Sequence, residues 1–419
     1  MSMATCSYEL DRFDGPGRDL RPGMWPTGLL GGVVVSADGT GDGGSAGQSQ
    51  PVARRKFWGW GLEGLAASEV EQLGAVFAER LGLAGVRPKE PPRVEELDLP
   101  APRLAPPASL EPAFSTDRYD RAAHTYGRSF RDLVRAFGRD YGHAPDMVAF
   151  PRGEGELVSV LEWCSDARVA AIPFGGGSSV VGGVEPDVGD GYHGVVRVDL
   201  RHRQGVLEVD RTSRAARIAA GTLGPALEAQ LKPYGLTLRH FPQSFEWSTL
   251  GGWIATRSGG HFATLHTHID EFVEAVRVVT PRGVVQTRRL PASGAGPSAE
   301  RLFCGSEGTL GVITEAWMRV QPRPRFRAAA SVSFASFGDA VQAVRDLAQS
   351  GLHPCREAET GRIQSWCSAL SPRITNWSRG WPGLWRSAEA TAAKYTAGTV
   401  TRPRSGGPRS CAAGTCATG

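Results

Sequence analysis

The sequence predicts an α+β fold for the middle of the chain, and three observations carry that prediction. Between Tyr141 and Pro322, segments with a helical apolar repeat alternate with short strand-like runs rich in Val, Ile and Ala. Loops of Gly, Ser and Thr sit at the ends of three of those runs. The chain of 419 residues is also more than twice a usual domain of about 100–200 residues, so more than one domain and a sizeable buried core are expected.

The elements follow in order. Residues 1–53 include ADGTGDGGSAGQSQ and hold too few apolar side chains to offset ordering entropy, so a disordered N-terminal extension is expected. Its apolar run, Leu29 to Val35, is broken by Gly31 and Gly32 and lacks a basic leader, so it does not read as a signal peptide. Order begins near Arg54. A helical and extended segment over 54–140 contains Phe57, Trp58 and Trp60 as packing anchors, a helical stretch around Val70 to Leu81, a Pro-rich strut outside the core at 87–112, and a short helix at Ser129 to Phe137.

Across 141–325, Leu157, Val160, Leu161 and Cys164 recur at i, i+3, i+4, i+7, which places them on one helical face. A strand at 169–174 follows. Further strands are expected at Val195–Leu200, Val206–Val209, Arg217–Ala220, Val273–Thr280, Val284–Thr287 and Gly311–Val320, and a helix at Pro225–Tyr234 that buries Leu227 and Leu231. Phe337, Val341, Val344 and Leu347 mark a helix in a third region, 326–355. After Cys355 the apolar content collapses, and Trp366, Trp377, Trp381 and Trp385 keep no period. Residues 356–419 read as a low-order tail.

Hydrophobic residues make up 41% and charged residues 21%, a globular composition without a run approaching the about 18 apolar residues of a membrane span. Lys+Arg of 47 against Asp+Glu of 43, interleaved along the chain, leaves no nucleic-acid footprint. The 7 cysteines form no CxxC pair, which predicts reduced thiols in a cytoplasmic setting rather than a disulfide framework or zinc site, with Cys164 and Cys304 as small core residues.

The sharpest feature is PFGGGSSVVGG, Pro173 to Gly183, directly after a buried-looking strand. Glycines let backbone N–H groups approach a diphosphate, and Ser178 and Ser179 add hydroxyls, so the loop reads as an anion nest. No amphipathic helix follows and no GK[ST] ending closes it, which excludes the Rossmann fingerprint and the P-loop. Two further small-residue segments, QSFEWSTLGGWIATRSGG at 243–260 and GSEGTLGVI at 305–313, complete a set that could line a groove for a dinucleotide.

These strings, with VTPRG at 279–283 and the continuation GSEGTLGVITEAWMRVQPRP at 305–324, resemble the FAD-binding domain of the vanillyl-alcohol oxidase/p-cresol methylhydroxylase flavoproteins. RRKFWGWG at 54–61 together with the Ser-Phe-Glu-Trp-Ser-Thr string is most similar to the alkyldihydroxyacetonephosphate synthase branch. The resemblance implies a two-subdomain FAD-binding fold at 141–325 with an incomplete C-terminal cap domain, and noncovalent FAD, because Ile172, Pro173 and Phe174 stand where some relatives carry an attachment histidine.

The cofactor contacts it implies fall in the three loops. In the first they are Pro173, Phe174, Gly175, Gly176, Gly177, Ser178 and Ser179, which would take the pyrophosphate. In the second they are Gln243, Ser244, Phe245, Glu246, Trp247, Ser248 and Thr249, followed by Thr256, Arg257, Ser258 and Gly259. The third supplies Glu307, Gly308, Thr309, Leu310, Gly311, Val312 and Ile313. The last two loops would lie along the isoalloxazine, where Gly251 and Gly252 would permit stacking.

The implied chemistry is exchange of the acyl group of acyl-dihydroxyacetone phosphate for a fatty alcohol, as in ether-lipid synthesis, at flavin N5 and without net redox change. Its tyrosine acid/base, histidine-rich loop and phosphate-binding arginines belong to the cap, so catalytic residues are not assigned. The chain departs from the family at Cys355, where composition also breaks, and a shifted reading frame would explain both. Two other readings stay open: an FAD-dependent oxidoreductase of a 2-hydroxy acid or alcohol, and a non-catalytic flavin-binding fragment. The expected partner is a small-molecule or lipid-like substrate, with no nucleic acid and no transmembrane segment, and a homodimer is left open.

Plainer roles stand beside these. His261, His266 and His268 match no common zinc spacing, so no metal is expected and they read as polar loop residues near flavin or substrate. Arg257 is equally a surface residue, and Glu307 is better placed as a turn-capping carboxylate than as a catalytic one.

Overall fold

A computed structural model of the chain describes residues 54–63, 74, 78–79, 81–83, 89–261, 268–290, 294–324, 329–333, 337–350, 364–368 and 400–401. The expected extension at 1–53, most of the expected helix at 70–81 and most of the tail after 355 lie outside the described residues. The chain divides into two compact units, one comprising residues 14–259 and 268–321, the other 1–13, 260–267 and 322–419.

Among its described residues the larger unit contains a four-stranded and a five-stranded sheet. In the first, β1 (Phe114–Ser115) pairs antiparallel with β2 (Met147–Ala149), and β2, β4 (Gly194–Asp199) and β3 (Val169–Phe174) run parallel in that spatial order. Every residue of β4 is buried, as expected for a parallel strand covered on both faces. In the second sheet, β5 (Val206–Asp210), β6 (Ala215–Ala219), β10 (Val312–Arg319), β8 (Val273–Thr280) and β9 (Gly283–Gln286) are antiparallel. The short strand β7 is Leu236–Thr237.

Helix α1 (Arg118–Ala123) is capped by Asp117, and α2 (Phe130–Phe137) by Ser129, whose hydroxyl accepts from Asp132 N while Asp132 accepts from Ser129 N. Helix α3 (Glu154–Asp166) buries Leu157, Val160 and Cys164 as its period predicts. Helix α4 (Gly224–Leu231) buries Leu227 and Leu231 and ends in a 3-10 turn at Lys232–Tyr234. Two short helices follow, α5 (Leu250–Ala255) and α6 (Ala299–Phe303).

A core of Met147, Leu157, Val196, Val198, Ile218, Leu227, Leu238, Trp253, Val278 and Met318, among others, runs between the two sheets. Glu154 at the start of α3 joins them, receiving two bonds of 2.7 Å from Arg277 of β8.

The 87–112 stretch departs from its reading as a strut outside the core. Leu97 is buried with Phe57, Tyr126 and Tyr141, and Leu104 packs against the main core. An extended Pro-rich chain can still insert alternate side chains, and Arg103 anchors it through two bonds to Asp146 at 2.9 and 2.7 Å. The aromatic anchors also differ from expectation: Phe57 is the buried ring, Trp58 packs edge-on against Phe137, and Trp60 is exposed.

In the smaller unit, α7 (Phe337–Ala348) forms where predicted, but Ala340 and Ala343 are its buried residues while Phe337 is exposed. There β11 (Ala329–Ser333) pairs with β12 (Gln364–Ser368) and β13 (Val400–Thr401), two strands the tail's composition did not foretell.

Candidate cofactor site

The first loop leaves β3 at Phe174, and no helix follows it before β4. Among the described residues, the amides of Gly176, Gly177, Ser178 and Ser179 have no backbone or side-chain acceptor. The Ser179 hydroxyl is likewise buried without a partner. A row of unspent donors in a glycine turn is the chemistry of an anion nest.

The second loop is built by its own side chains. Trp253 Nε1 donates to Ser248 Oγ at 2.7 Å, and Ser248 Oγ donates to Ser244 O at 2.7 Å. Thr249 caps α5 by accepting from Gly252 N. Phe245 stacks on Trp253, and Arg55 lies over the Trp247 ring at 5.2 Å. Glu246 is half-buried, and burial pushes its carboxyl up. Gln243 is exposed. Ser244, Ser248 and Thr249 thus shape the loop and are engaged within it.

Helix α5 ends in a Schellman-type turn, with Arg257 N donating to Ile254 O and Ser258 N to Trp253 O. Arg257 occupies the left-handed position, φ 51°, usually reserved for glycine, and its guanidinium reaches Asp270 at 2.9 Å. Thr256 Oγ1 donates to Gly252 O, Ser258 Oγ meets His240 Nε2 at 2.9 Å, and Gly259 bridges to exposed His268. His266 lies outside the described residues, and His261 is exposed.

The third loop is hung from α5, with Gly305 N donating to Ile254 O and Glu307 N to Ala255 O. Glu307 is exposed and left-handed, φ 53°, followed by left-handed Gly308, φ 80°. Thr309 Oγ1 donates to Ser306 O, while the Ser306 hydroxyl is buried and unpartnered. Leu310 is exposed, Gly311 turns the chain into β10, and Val312 and Ile313 are buried strand residues. Ser306 lies outside the residues the sequence singled out, although it sits inside the same string.

The structure brings all three loops together. A Cβ on Gly308 would lie 3.0 Å from Pro173, and one on Gly183 would lie 2.9 Å from a Glu307 carboxylate oxygen. A Cβ on Gly176 would lie 1.7 Å from Trp247 O, and one on Gly175 2.3 Å from Thr249 Oγ1. These glycines therefore also have a packing role: Gly175 and Gly176 let the first loop rest on the second loop, and Gly251 lets α5 approach Ala220, whose Cβ a side chain would meet at 2.8 Å.

His124 is the histidine packed against Phe174, at 4.2 Å between rings. It is buried, with Nδ1 at 2.6 Å from Asp120 O and Nε2 at 2.9 Å from Asp199. Burial raises the Asp199 carboxyl, but the bonds and charges of His124 and Arg201 outweigh it and hold it below the usual range. His240, against Trp253 and Phe272, is pushed down to about 4 by burial.

An FAD binding domain family matches residues 145–288. The fold resembles p-cresol methylhydroxylase with substrate bound, at TM-score 0.54 and 13% identity, covering 70% of this chain and 64% of that one. The chain therefore carries an FAD-binding domain of the p-cresol methylhydroxylase type, with FAD as its cofactor. The unspent amides of the first loop and the unpartnered hydroxyls of Ser179 and Ser306 fit that group.

A solved alkyldihydroxyacetonephosphate synthase matches at TM-score 0.71 and 26% identity over 83% of this chain and 74% of that one. Proteins of the same name from Dictyostelium discoideum and Trypanosoma brucei brucei are 39% and 36% identical over 57% of this chain. Over the matched region the chain is similar to alkyldihydroxyacetonephosphate synthases and holds the FAD binding domain. It matches 39% of the length of each of those two curated relatives. Among the described residues no helix is long and apolar enough to cross a membrane.

Proposed function

We propose that the chain binds FAD noncovalently through its three loops and serves an alkyldihydroxyacetonephosphate synthase reaction, exchanging the acyl group of acyl-dihydroxyacetone phosphate for a fatty alcohol. The observation that carries the cofactor placement is the run of unspent amides at Gly176–Ser179 beside the unpartnered hydroxyls of Ser179 and Ser306. Bound FAD supplies N5 as the reacting centre. The first loop holds the diphosphate by its amides, and the second and third, fixed to α5, orient the ring system. The substrate is lipid-like. The free thiols of Cys164 and Cys304 accord with a reducing, cytoplasmic setting.

Noncovalent attachment is supported at the loop entrance, where Ile172, Pro173 and Phe174 offer no nucleophile and the packed His124 has both nitrogens engaged. Acid precipitation of the yellow protein should release flavin to the supernatant, and flavin in the pellet would refute noncovalent binding. Incorporation of labelled fatty alcohol into acyl-dihydroxyacetone phosphate tests the transfer.

A second reading is oxidation of a 2-hydroxy acid. A glycolate oxidase subunit of Bacillus subtilis is 31% identical over 51% of the chain, and a D-lactate dehydrogenase of Saccharomyces cerevisiae 32% over 50%. Anaerobic bleaching of the flavin by glycolate or D-lactate, with no alcohol incorporation, would favour it.

A further inference from the structure

A buried cation, Arg197, and a half-buried one, Arg128, lie beside the first glycine loop. Arg197 projects from β4 and is fully buried. Its Nε donates to His124 O at 2.8 Å, while Nη1 and Nη2 are buried with no hydrogen-bond partner. The guanidinium carbon sits 5.0 Å from the centroid of Phe174, the same ring that a Cβ on Gly177 would strike at 2.4 Å. Burial pushes Arg197 down to about 9, which leaves it cationic at neutral pH.

Arg128 gives its side-chain bonds to neutral carbonyls, at 3.1 Å to Gly59, 2.8 Å to Gly127 and 3.3 Å to Lys56. Its backbone N–H donates to Ser179 O at 2.7 Å, so the same residue holds the loop in place. Among the described residues, no carboxylate lies within ion-pair distance of either guanidinium. The buried carboxylate of this cluster, Asp199, is shared between His124 at 2.9 Å and Arg201 at 2.8 Å.

Arg197, buried with two nitrogens unpartnered and facing only the already shared charge of Asp199, is unfavourable in the protein alone, and an arriving anion reverses the sign of that contribution. The nest above them is where the reading under Proposed function puts a dianionic diphosphate. Resting on that reading, we propose that Arg197 and Arg128 supply the counter-charge for the cofactor diphosphate and make the site selective for FAD over uncharged flavin.

The test compares FAD with riboflavin, which has the same ring system and no phosphate. Both are titrated into the flavin-stripped full chain, wild type and Arg197→Met and Arg197→Lys, with circular dichroism as a check on folding. Loss of a desolvated charge should weaken FAD about 10- to 100-fold in Arg197→Met. Riboflavin should change less than about threefold, and Arg197→Lys should recover most of the FAD affinity. Equal weakening of both flavins, or unchanged FAD affinity in folded Arg197→Met, would overturn the proposal.

Should Arg197→Met not fold, inorganic pyrophosphate is the probe. It should raise the melting temperature of the flavin-stripped wild type and compete with FAD, less so at high salt, and absence of both effects overturns the proposal. A wild type that binds neither flavin overturns the cofactor reading itself, whereas normal wild-type binding with an indifferent Arg197→Met overturns only the arginine assignment.

Discussion

Replacing His240 by Gln should remove a pH dependence of stability without removing the hydrogen bond that the residue makes. His240 sits 3% exposed between Trp253 and Phe272, with Nε2 at 2.9 Å from Ser258 Oγ, and burial lowers its pKa from 6.5 to about 4. The folded state therefore stays neutral where the unfolded chain takes up a proton. Stability from this residue is complete above about pH 6.5 and is lost as pH falls towards 4. The difference between 6.5 and about 4 corresponds to about 3 kcal/mol. Urea unfolding followed by tryptophan fluorescence at several pH values between 4 and 7 measures it. Wild type should lose about 3 kcal/mol more than His240→Gln over that range, since the carboxylates titrate alike in both. Parallel stability curves for the two proteins would refute the reasoning.

Three other outcomes follow from the loops. Gly176→Ala should lower the melting temperature as well as flavin content, because its Cβ meets Trp247 O at 1.7 Å; a cost of about 1–3 kcal/mol is expected, and unchanged unfolding would contradict it. Ser248→Ala leaves buried Trp253 Nε1 without its acceptor and should destabilise by about 1–3 kcal/mol in denaturant titrations. Ser306→Ala removes a hydroxyl with no partner, so flavin-free stability should stay within about 0.5 kcal/mol while FAD affinity falls severalfold in a fluorescence titration.

The sequence by itself determined the elements with a strong period and the strings that cross between them. Val273–Thr280 and Val169–Phe174 form over the expected residues, α3 buries three of the four positions its repeat selects, and Ser129 announces its helix through a capping box. These signals are local, set by side-chain period and by caps within a few residues. Two- and three-residue strands such as Phe114–Ser115 and Met147–Ala149 carry no period and become strands only through their pairing, with each other and, for Met147–Ala149, with Gly194–Asp199.

The tertiary structure alone decided what the glycines are for, because the atoms that exclude a Cβ at Gly176 or Gly251 belong to Trp247 and Ala220, far along the chain. It also decided which polar residues are spent. Ser248 and Arg257 look like ligand contacts in the string, yet Trp253 and Asp270 engage them, while Ser306 stays unpartnered. Arg197 left one legible trace, a charge inside the apolar run GVVRVDL. That its two terminal nitrogens lack a partner depends on every group packed around it, and no local rule of sequence encodes that environment.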